Sequence, residues 1–321
     1  MHTWGVTEPG GAFYGWLLYF DAGRVGVVAF FCISGFLIPF TIADLNSFII
    51  RRASRILPAY WLSIPITMLA IWFAQGRLFS WETIALNVVM LPRFLGNNWI
   101  SGVYWTLEIE ILFYALCAAL FQLGAVRKPT WLLLISVIGL ATFYLLPASL
   151  VRARWTLEPD QLGFIRQTFF YIGLMTLAAT FRLWREGKTS NWQTAAATAL
   201  ASFFVIIFPA LAFVAGSAAY LQLYLATSLG ILLFLLSFVI KTVFSALVPL
   251  GRISYSLYLF HPIAFLLAPM LFPPSNPWAF KAITTLLSAG MASAVYFAIE
   301  RPGIALGHAA TRNFKKNRER Q

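Results

Sequence analysis

An all-α, polytopic membrane helix bundle is the fold this sequence predicts, and three observations predict it. Sixty per cent of the 321 residues are hydrophobic and only 11% are charged, with a mean hydropathy of +0.78. A soluble chain carries about 25% charged residues. Apolar runs near the roughly 20 residues that cross a bilayer recur from end to end. The connectors between them hold the usual helix breakers, such as Glu158-Pro159-Asp160 and Pro273-Pro274-Ser275-Asn276-Pro277.

The runs place spans at about 24–42, 56–75, 103–123, 131–148, 164–181, 193–214, 218–240, 253–272 and 278–299. The shorter run at about 83–92 reads as re-entrant or interfacial. The first span carries Gly26, Ser34 and Gly35, small residues that let helices approach closely. The second opens near Pro58, a residue tolerated in a helix's first turn, and follows a basic loop with Arg51, Arg52 and Arg55. The third holds Glu108 and Glu110, and the eighth holds His261. No repeat halves or appended soluble domain are visible. Residues 1–321 therefore read as one membrane domain, with 1–22 an extracytoplasmic segment and 303–321 a basic tail.

The net charge of +12 raises nucleic acid as a partner, but its placement argues against one. The basic residues sit in short loops between apolar runs. Arg51, Arg52, Arg55, Arg127, Lys128, Arg182, Arg185, Lys188, Lys241 and Arg252 fall in one set of alternate loops, and the other set is sparse and mixed. The positive-inside rule then makes the first set and the C-terminus cytoplasmic. Cys32 and Cys117 both lie in spans, without metal-ligand spacing, and read as packing residues. No Gly-x-Ser-x-Gly, P-loop, His-x-x-x-His or Cys-x-x-Cys pattern is present. Residues 1–22 lack the basic and apolar regions of a secretory signal.

A charge at the centre of a bilayer helix costs roughly 2.5–3.5 kcal/mol on insertion scales, so polar residues in spans are the first functional candidates. Glu108 and Glu110 are about 200° apart around a helix and cannot form a paired-carboxylate site. Glu110 shares a face with Thr106 and Tyr114, roughly 10 Å below the outer edge at 1.5 Å per residue. Function and a structural ion pair with an interior arginine compete for it. Glu108 is nearer the edge and is expected to snorkel. Arg51 and Arg55, at i,i+4, share a face, and Arg52 neighbours Arg55; guanidinium forks suit phosphates, while a plain orienting loop is the competing reading. Ser254, Tyr258 and His261 can share one face of their span as acceptor-side or structural residues. His308 is expected to be solvated in the tail.

Together these segments resemble the acyltransferase-3 family of bacterial membrane acyltransferases. Gly26-Val27-Val28-Ala29-Phe30-Phe31-Cys32-Ile33-Ser34-Gly35-Phe36-Leu37-Ile38 is similar to its Gly-Val, Phe-Phe, Ser-Gly-Phe-Leu-Ile span. Arg51-Arg52-Ala53-Ser54-Arg55-Ile56-Leu57-Pro58-Ala59-Tyr60-Trp61 resembles its Arg-Arg-x-x-Arg-Ile-x-Pro-x-Tyr-Trp. Trp105-Thr106-Leu107-Glu108-Ile109-Glu110-Ile111-Leu112-Phe113-Tyr114 resembles Trp-Ser/Thr-Leu-x-x-Glu-x-x-Phe-Tyr and selects Glu110 over Glu108. Ile253-Ser254-Tyr255-Ser256-Leu257-Tyr258-Leu259-Phe260-His261-Pro262 and Glu300-Arg301-Pro302 match the C-terminal motifs.

The resemblance implies an O-acyltransferase of the bacterial inner membrane. An acyl group, usually acetyl from acetyl-CoA, would pass to a hydroxyl of an extracytoplasmic glycan, lipid-linked sugar or related acceptor. It implies no permanently bound cofactor and no metal. Arg51, Arg52 and Arg55 would meet the phosphates of CoA. The family also has ten spans, the first with an arginine and, about ten residues on, an essential histidine. This chain has nine, and His2 stands 24 residues before Gly26, about where that histidine belongs. A misassigned start or a truncation is the expectation. His2 would be the general base or an acyl carrier, with Glu110 orienting it or neutralising an arginine. Ser34 and Tyr114 join Ser254, Tyr258 and His261 as possible acceptor or structural residues. A proton-coupled transporter or lipid-linked sugar flippase, and a membrane scaffold, are the competing readings.

Overall fold

The computed structural model describes residues 21–145, 159–203, 218–240, 245, 247–271 and 277–318. Every regular element among them is helical. In chain order they are α1 (Ala22–Leu37), α2 (Leu45–Gln75), α3 (Trp81–Val88), α4 (Tyr104–Gln122), α5 (Pro129–Leu145), α6 (Pro159–Arg185), α7 (Asn191–Ser202), α8 (Ala218–Leu236), α9 (Leu247–Leu271), α10 (Pro277–Val295) and α11 (Arg301–Arg318). A 3₁₀ turn, Ile38–Phe40, extends α1, and a π turn, Tyr296–Glu300, joins α10 to α11.

Among the described residues, five stretches are long and apolar enough to cross a membrane: Ala22–Phe40, Leu45–Gln75, Tyr104–Gln122, Leu247–Met270 and Trp278–Arg312. They coincide with five of the nine expected spans. The other four coincide with α5, α6, α7 and α8, whose ends run into residues outside the described set. The fold is a helical membrane bundle.

Two helices depart from expectation. Asp44 caps α2, its carboxylate accepting from the Ser47 amide at 2.8 Å, so the helix starts eleven residues before the expected 56. The three arginines therefore stand in the first turns of a 31-residue helix and not in a loop. Pro58 and Pro65 are accommodated inside it, and Gly76, at φ 65°, ends it in the left-handed conformation that glycine adopts without steric cost. Toward the C-terminus, the basic segment from 303 is helical through 318 and continues α10. His308 is exposed there, as expected.

The chain divides into two compact units. One comprises Met1–Phe40, Ala119–Pro147 and Arg166–Lys241. Within it the helices touch backbone to backbone. A Cβ on Gly35 would collide with the main chain of Met175, one on Gly139 would come within 2.5 Å of the Phe169 carbonyl, and one on Gly230 within 2.6 Å of Val28. Small residues permit such approach where no hydrophobic effect drives helices together. Ser136 and Thr176 bridge α5 and α6 at 2.8 Å. Cys32 is buried in α1.

The second unit comprises Thr41–Ala118, Ala148–Ile165 and Thr242–Gln321. Here α11 lies along the arginine end of α2. A Cβ on Gly303 would meet the Ser54 carbonyl at 2.6 Å, one on Gly307 would collide with the Ser54 hydroxyl, and Arg51 Nε donates to Thr311 Oγ1 at 3.0 Å. Cys117 is buried in α4.

Gly35→Val should lower the unfolding temperature of the detergent-purified protein, by overpacking worth about 1–3 kcal/mol. Gly26, where an added Cβ would meet nothing within 4 Å, should accept alanine without loss. Equal losses from the two substitutions would contradict the close packing of α1 on α6.

Candidate active site

A buried carboxylate in a membrane span demands donors, and the second unit supplies them to Glu108 and Glu110 in different ways. The two side chains point apart, as helical phase requires.

Glu108 is 1% exposed. Its Oε1 accepts from the Phe94 amide at 2.8 Å, and its Oε2 from Trp99 Nε1 at 2.6 Å and the Arg93 amide at 3.4 Å. It does not snorkel. It holds down an irregular segment between α3 and α4. Asn87 completes the hold: its Nδ2 donates to the Thr83 and Asn98 carbonyls, and its Oδ1 accepts from the Ile100 amide at 3.1 Å. Tyr60 and Trp61 of α2 donate to the carbonyls of Asn87 and Val88, at 2.6 and 3.1 Å. These carbonyls belong to the end of α3, where a helix leaves acceptors unpaired. Irregular backbone survives at membrane depth only when its polar groups are satisfied inside the protein.

This segment changes the depth of Glu110. Tyr104, the first residue of α4, bonds Ser63 at 2.7 Å and packs on Tyr60 at 4.9 Å, halfway along α2. So α4 begins inside the unit, not at its edge. Glu110 lies about 9 Å further along α4 at 1.5 Å per residue, toward the arginine end of α2. The expected position, 10 Å below an outer edge, assumed that the helix began at the membrane surface.

Glu110 is 6% exposed and accepts a short hydrogen bond from the Tyr114 hydroxyl one turn on. The Arg52 guanidinium covers the Tyr114 ring at 5.5 Å and the Phe48 ring at 5.8 Å, and donates to Thr41 Oγ1 at 3.2 Å. Arg52 and Arg55 both act electrostatically on Glu110. Of the expected partners for this carboxylate, the arginines are near enough to act on it, and His2 lies outside the described residues.

A second carboxylate completes the cluster, and no role was expected for it. Glu300, in the π turn, is 2% exposed and accepts from Ser256 Oγ at 2.6 Å. Arg55 acts on Glu300 as well as on Glu110. Tyr255 donates to the Ile56 carbonyl at 2.9 Å. Both buried acids thus feel the charge of Arg55, and Glu110 that of Arg52 as well, while Arg51 and Arg55 are exposed. The sequence signal for Glu300 was its Glu-Arg-Pro motif. Its partner Ser256 is 44 residues away, which no local pattern reveals.

The remaining candidates separate. Tyr258 donates to the Val103 carbonyl at 2.9 Å and accepts from Thr106 Oγ1 at 2.8 Å, pinning α9 to the start of α4. His261 Nδ1 bonds the Tyr258 carbonyl of its own helix at 2.8 Å. Ser254 is exposed and donates to the Gly251 carbonyl at 2.9 Å. Ser34 is buried in α1 of the other unit. His2 lies outside the described residues.

Chemically, the cluster offers exposed guanidiniums with buried carboxylates in electrostatic range, an arrangement suited to a phosphate-bearing ligand.

Comparison with known proteins bears on that reading. A family model described as "Acyltransferase domain" matches residues 1–299. The exopolysaccharide production protein ExoZ of Rhizobium meliloti (strain 1021) is 35% identical over 116 residues, which cover 31% of this chain and 35% of that protein. Nodulation protein 10 of Rhizobium leguminosarum bv. viciae is 26% identical over 166 residues, 44% of this chain and 45% of that protein. The matches thus span less than half the length of either relative. No solved structure matches the chain.

Glu108→Gln places an amide N–H among three donors, at a cost of about 1–3 kcal/mol for the unpaired groups. Amide hydrogen exchange in the peptide around Phe94 should accelerate in Glu108→Gln and stay unchanged in Glu110→Gln. Slow exchange in both would sink the clamp.

Proposed function

As a member of the acyltransferase family whose model spans residues 1–299, this chain, we propose, is a membrane O-acyltransferase that moves an acyl group from acyl-CoA to a hydroxyl of an extracytoplasmic glycan or lipid-linked sugar. The observation that carries the reading is the buried Glu110, bonded to Tyr114 and facing Arg52 and Arg55, on the residues that match the family's motifs. ExoZ, named for exopolysaccharide production, supports a carbohydrate acceptor. Acetyl is the acyl group proposed, and the bacterial inner membrane the location, with the arginine end of α2 and the C-terminus cytoplasmic by the positive-inside rule.

In this reading the exposed guanidiniums of Arg51 and Arg55 bind the phosphates of the acyl donor. Glu110 and Glu300 hold Arg55 from within, and Arg52 is steadied by Glu110 and by the Tyr114 ring. The acceptor hydroxyl oxygen attacks the thioester carbonyl, its proton passes to a general base, and the CoA thiol leaves. His2 is the base proposed from the family resemblance. Glu110 acts through the arginines as a positioning residue.

Membrane vesicles holding the full chain, supplied with radiolabelled acetyl-CoA, should transfer label to glycan or lipid-linked sugar. His2→Ala should abolish transfer. Glu110→Gln should raise the KM for acetyl-CoA about tenfold or more, and Arg55→Gln likewise, because both weaken donor binding. A loss confined to kcat in Glu110→Gln would refute the positioning role. Absence of transfer from any short acyl-CoA, together with sugar uptake by the same vesicles, would refute the enzyme.

A further inference from the structure

The last helix reaches the arginine turn of α2 with a side chain that the acyl-transfer reading does not use. Every fourth residue of α11 meets α2 along one seam: Gly303 at the Ser54 carbonyl, Gly307 at the Ser54 hydroxyl, and Thr311 at Arg51. The two glycines let the helices approach closely. Thr311 brings a hydroxyl to the same seam. It lies beyond the residues 1–299 that the family model matches, so the family assigns it no role.

Thr311 is 2% exposed, and its hydroxyl is engaged on two sides. Oγ1 donates to the His308 carbonyl of its own helix at 3.1 Å and accepts from Arg51 Nε at 3.0 Å. The first bond commits the hydroxyl proton, so the oxygen meets Arg51 as an acceptor. The glycine contacts already account for the seating of α11. The bond from Arg51 does something further, to the arginine.

A guanidinium carries five N–H donors in a fixed fork, and it takes up an oxyanion by two of them in parallel. Occupation of Nε closes the side of that fork and leaves its Nη1–Nη2 end. Among the described residues Arg51 makes no other side-chain hydrogen bond, and it is exposed. The kind of acceptor matters as well. Arg52 and Arg55 act on buried carboxylates, which offset their charge, whereas Arg51 is answered by a neutral hydroxyl. A neutral acceptor orients the guanidinium without cancelling its charge. Ordering a long side chain before the ligand arrives lowers the entropy lost on binding.

We propose that Thr311 is a positioning residue for the acyl donor: from α11 it sets Arg51 end-on toward the phosphate oxygens of CoA. The proposal rests on the reading of Arg51 as a donor-binding residue, and the test distinguishes the two.

Membrane vesicles holding the full chain are assayed for transfer from radiolabelled acetyl-CoA over a range of donor concentrations. Thr311→Val keeps the shape of the side chain and removes the hydroxyl. It should raise the KM for acetyl-CoA about threefold to tenfold, the cost of ordering one long side chain, and leave kcat unchanged. Thr311→Ser, which keeps the hydroxyl, should hold the parental KM. Arg51→Gln should raise KM at least as much as Thr311→Val. The double variant should match Arg51→Gln alone, because the threonine acts only through the arginine. Arg51→Gln with a raised KM beside Thr311→Val at the parental KM would overturn the role of Thr311 and leave the donor-binding reading standing. So would a double variant in which the two effects multiply. Arg51→Gln at the parental KM would overturn the donor-binding reading itself, and this inference with it.

Discussion

Inside a bilayer no water takes up an orphaned amide, carbonyl or carboxylate, and every such group must find its partner in the protein. The second unit depends on how this is met between α3 and α4. The chain leaves helical geometry there, and the loosened groups are gathered by Glu108, Asn87, Tyr60 and Trp61. The stable result is an irregular segment that ends beside the midpoint of α2. That sets where α4 begins, and so where Glu110 stands along α2.

The two glutamates of α4 therefore have separate tasks despite being two residues apart. Glu108 is answered by neutral N–H donors and fixes backbone. Glu110 is answered by a phenol and by the charges of two arginines, and fixes side chains. Glu300 repeats that second task from the far end of the chain. It comes within electrostatic range of Arg55 where Gly303 and Gly307 allow α11 to lie directly on the Ser54 turn of α2. The C-terminal helix is thus part of what holds the arginine turn in shape. In the other unit the same constraint appears as arginines on the carbonyls that end α1, with aromatic rings beneath them.

Much of the architecture was legible in the chain. Long apolar runs read as membrane helices, and hydropathy alone placed the five that are long and apolar enough to span among the described residues. The opposed facing of Glu108 and Glu110 follows from 100° per residue. The motifs selected Glu110 over Glu108 and grouped it with the arginines as members of one family, with Tyr114 on its face. The depth of Glu110 was not legible, because depth was counted from a helix start that lies inside the unit. The expected snorkelling of Glu108 failed for the same reason. Nor was the helical state of the arginines legible from their charge: a run of arginines reads as a loop until the Asp44 cap is seen to open the helix ahead of them.

What the sequence by itself determined is the membrane, the helices, the family and the residues that bear charge within the spans. These are properties of composition, periodicity and local order, which act through near neighbours in the chain. What only the tertiary structure decided is which charges meet. Glu110 with Arg52 and Arg55, Glu300 with Ser256, and Thr311 with Arg51 join residues 44 to 260 positions apart, or separate helices whose relative level no local pattern records. The physical reason is that a buried charge is stabilised by whatever the packed helices bring to it, and the packing is set by glycines and by satisfied backbone far from the charge itself.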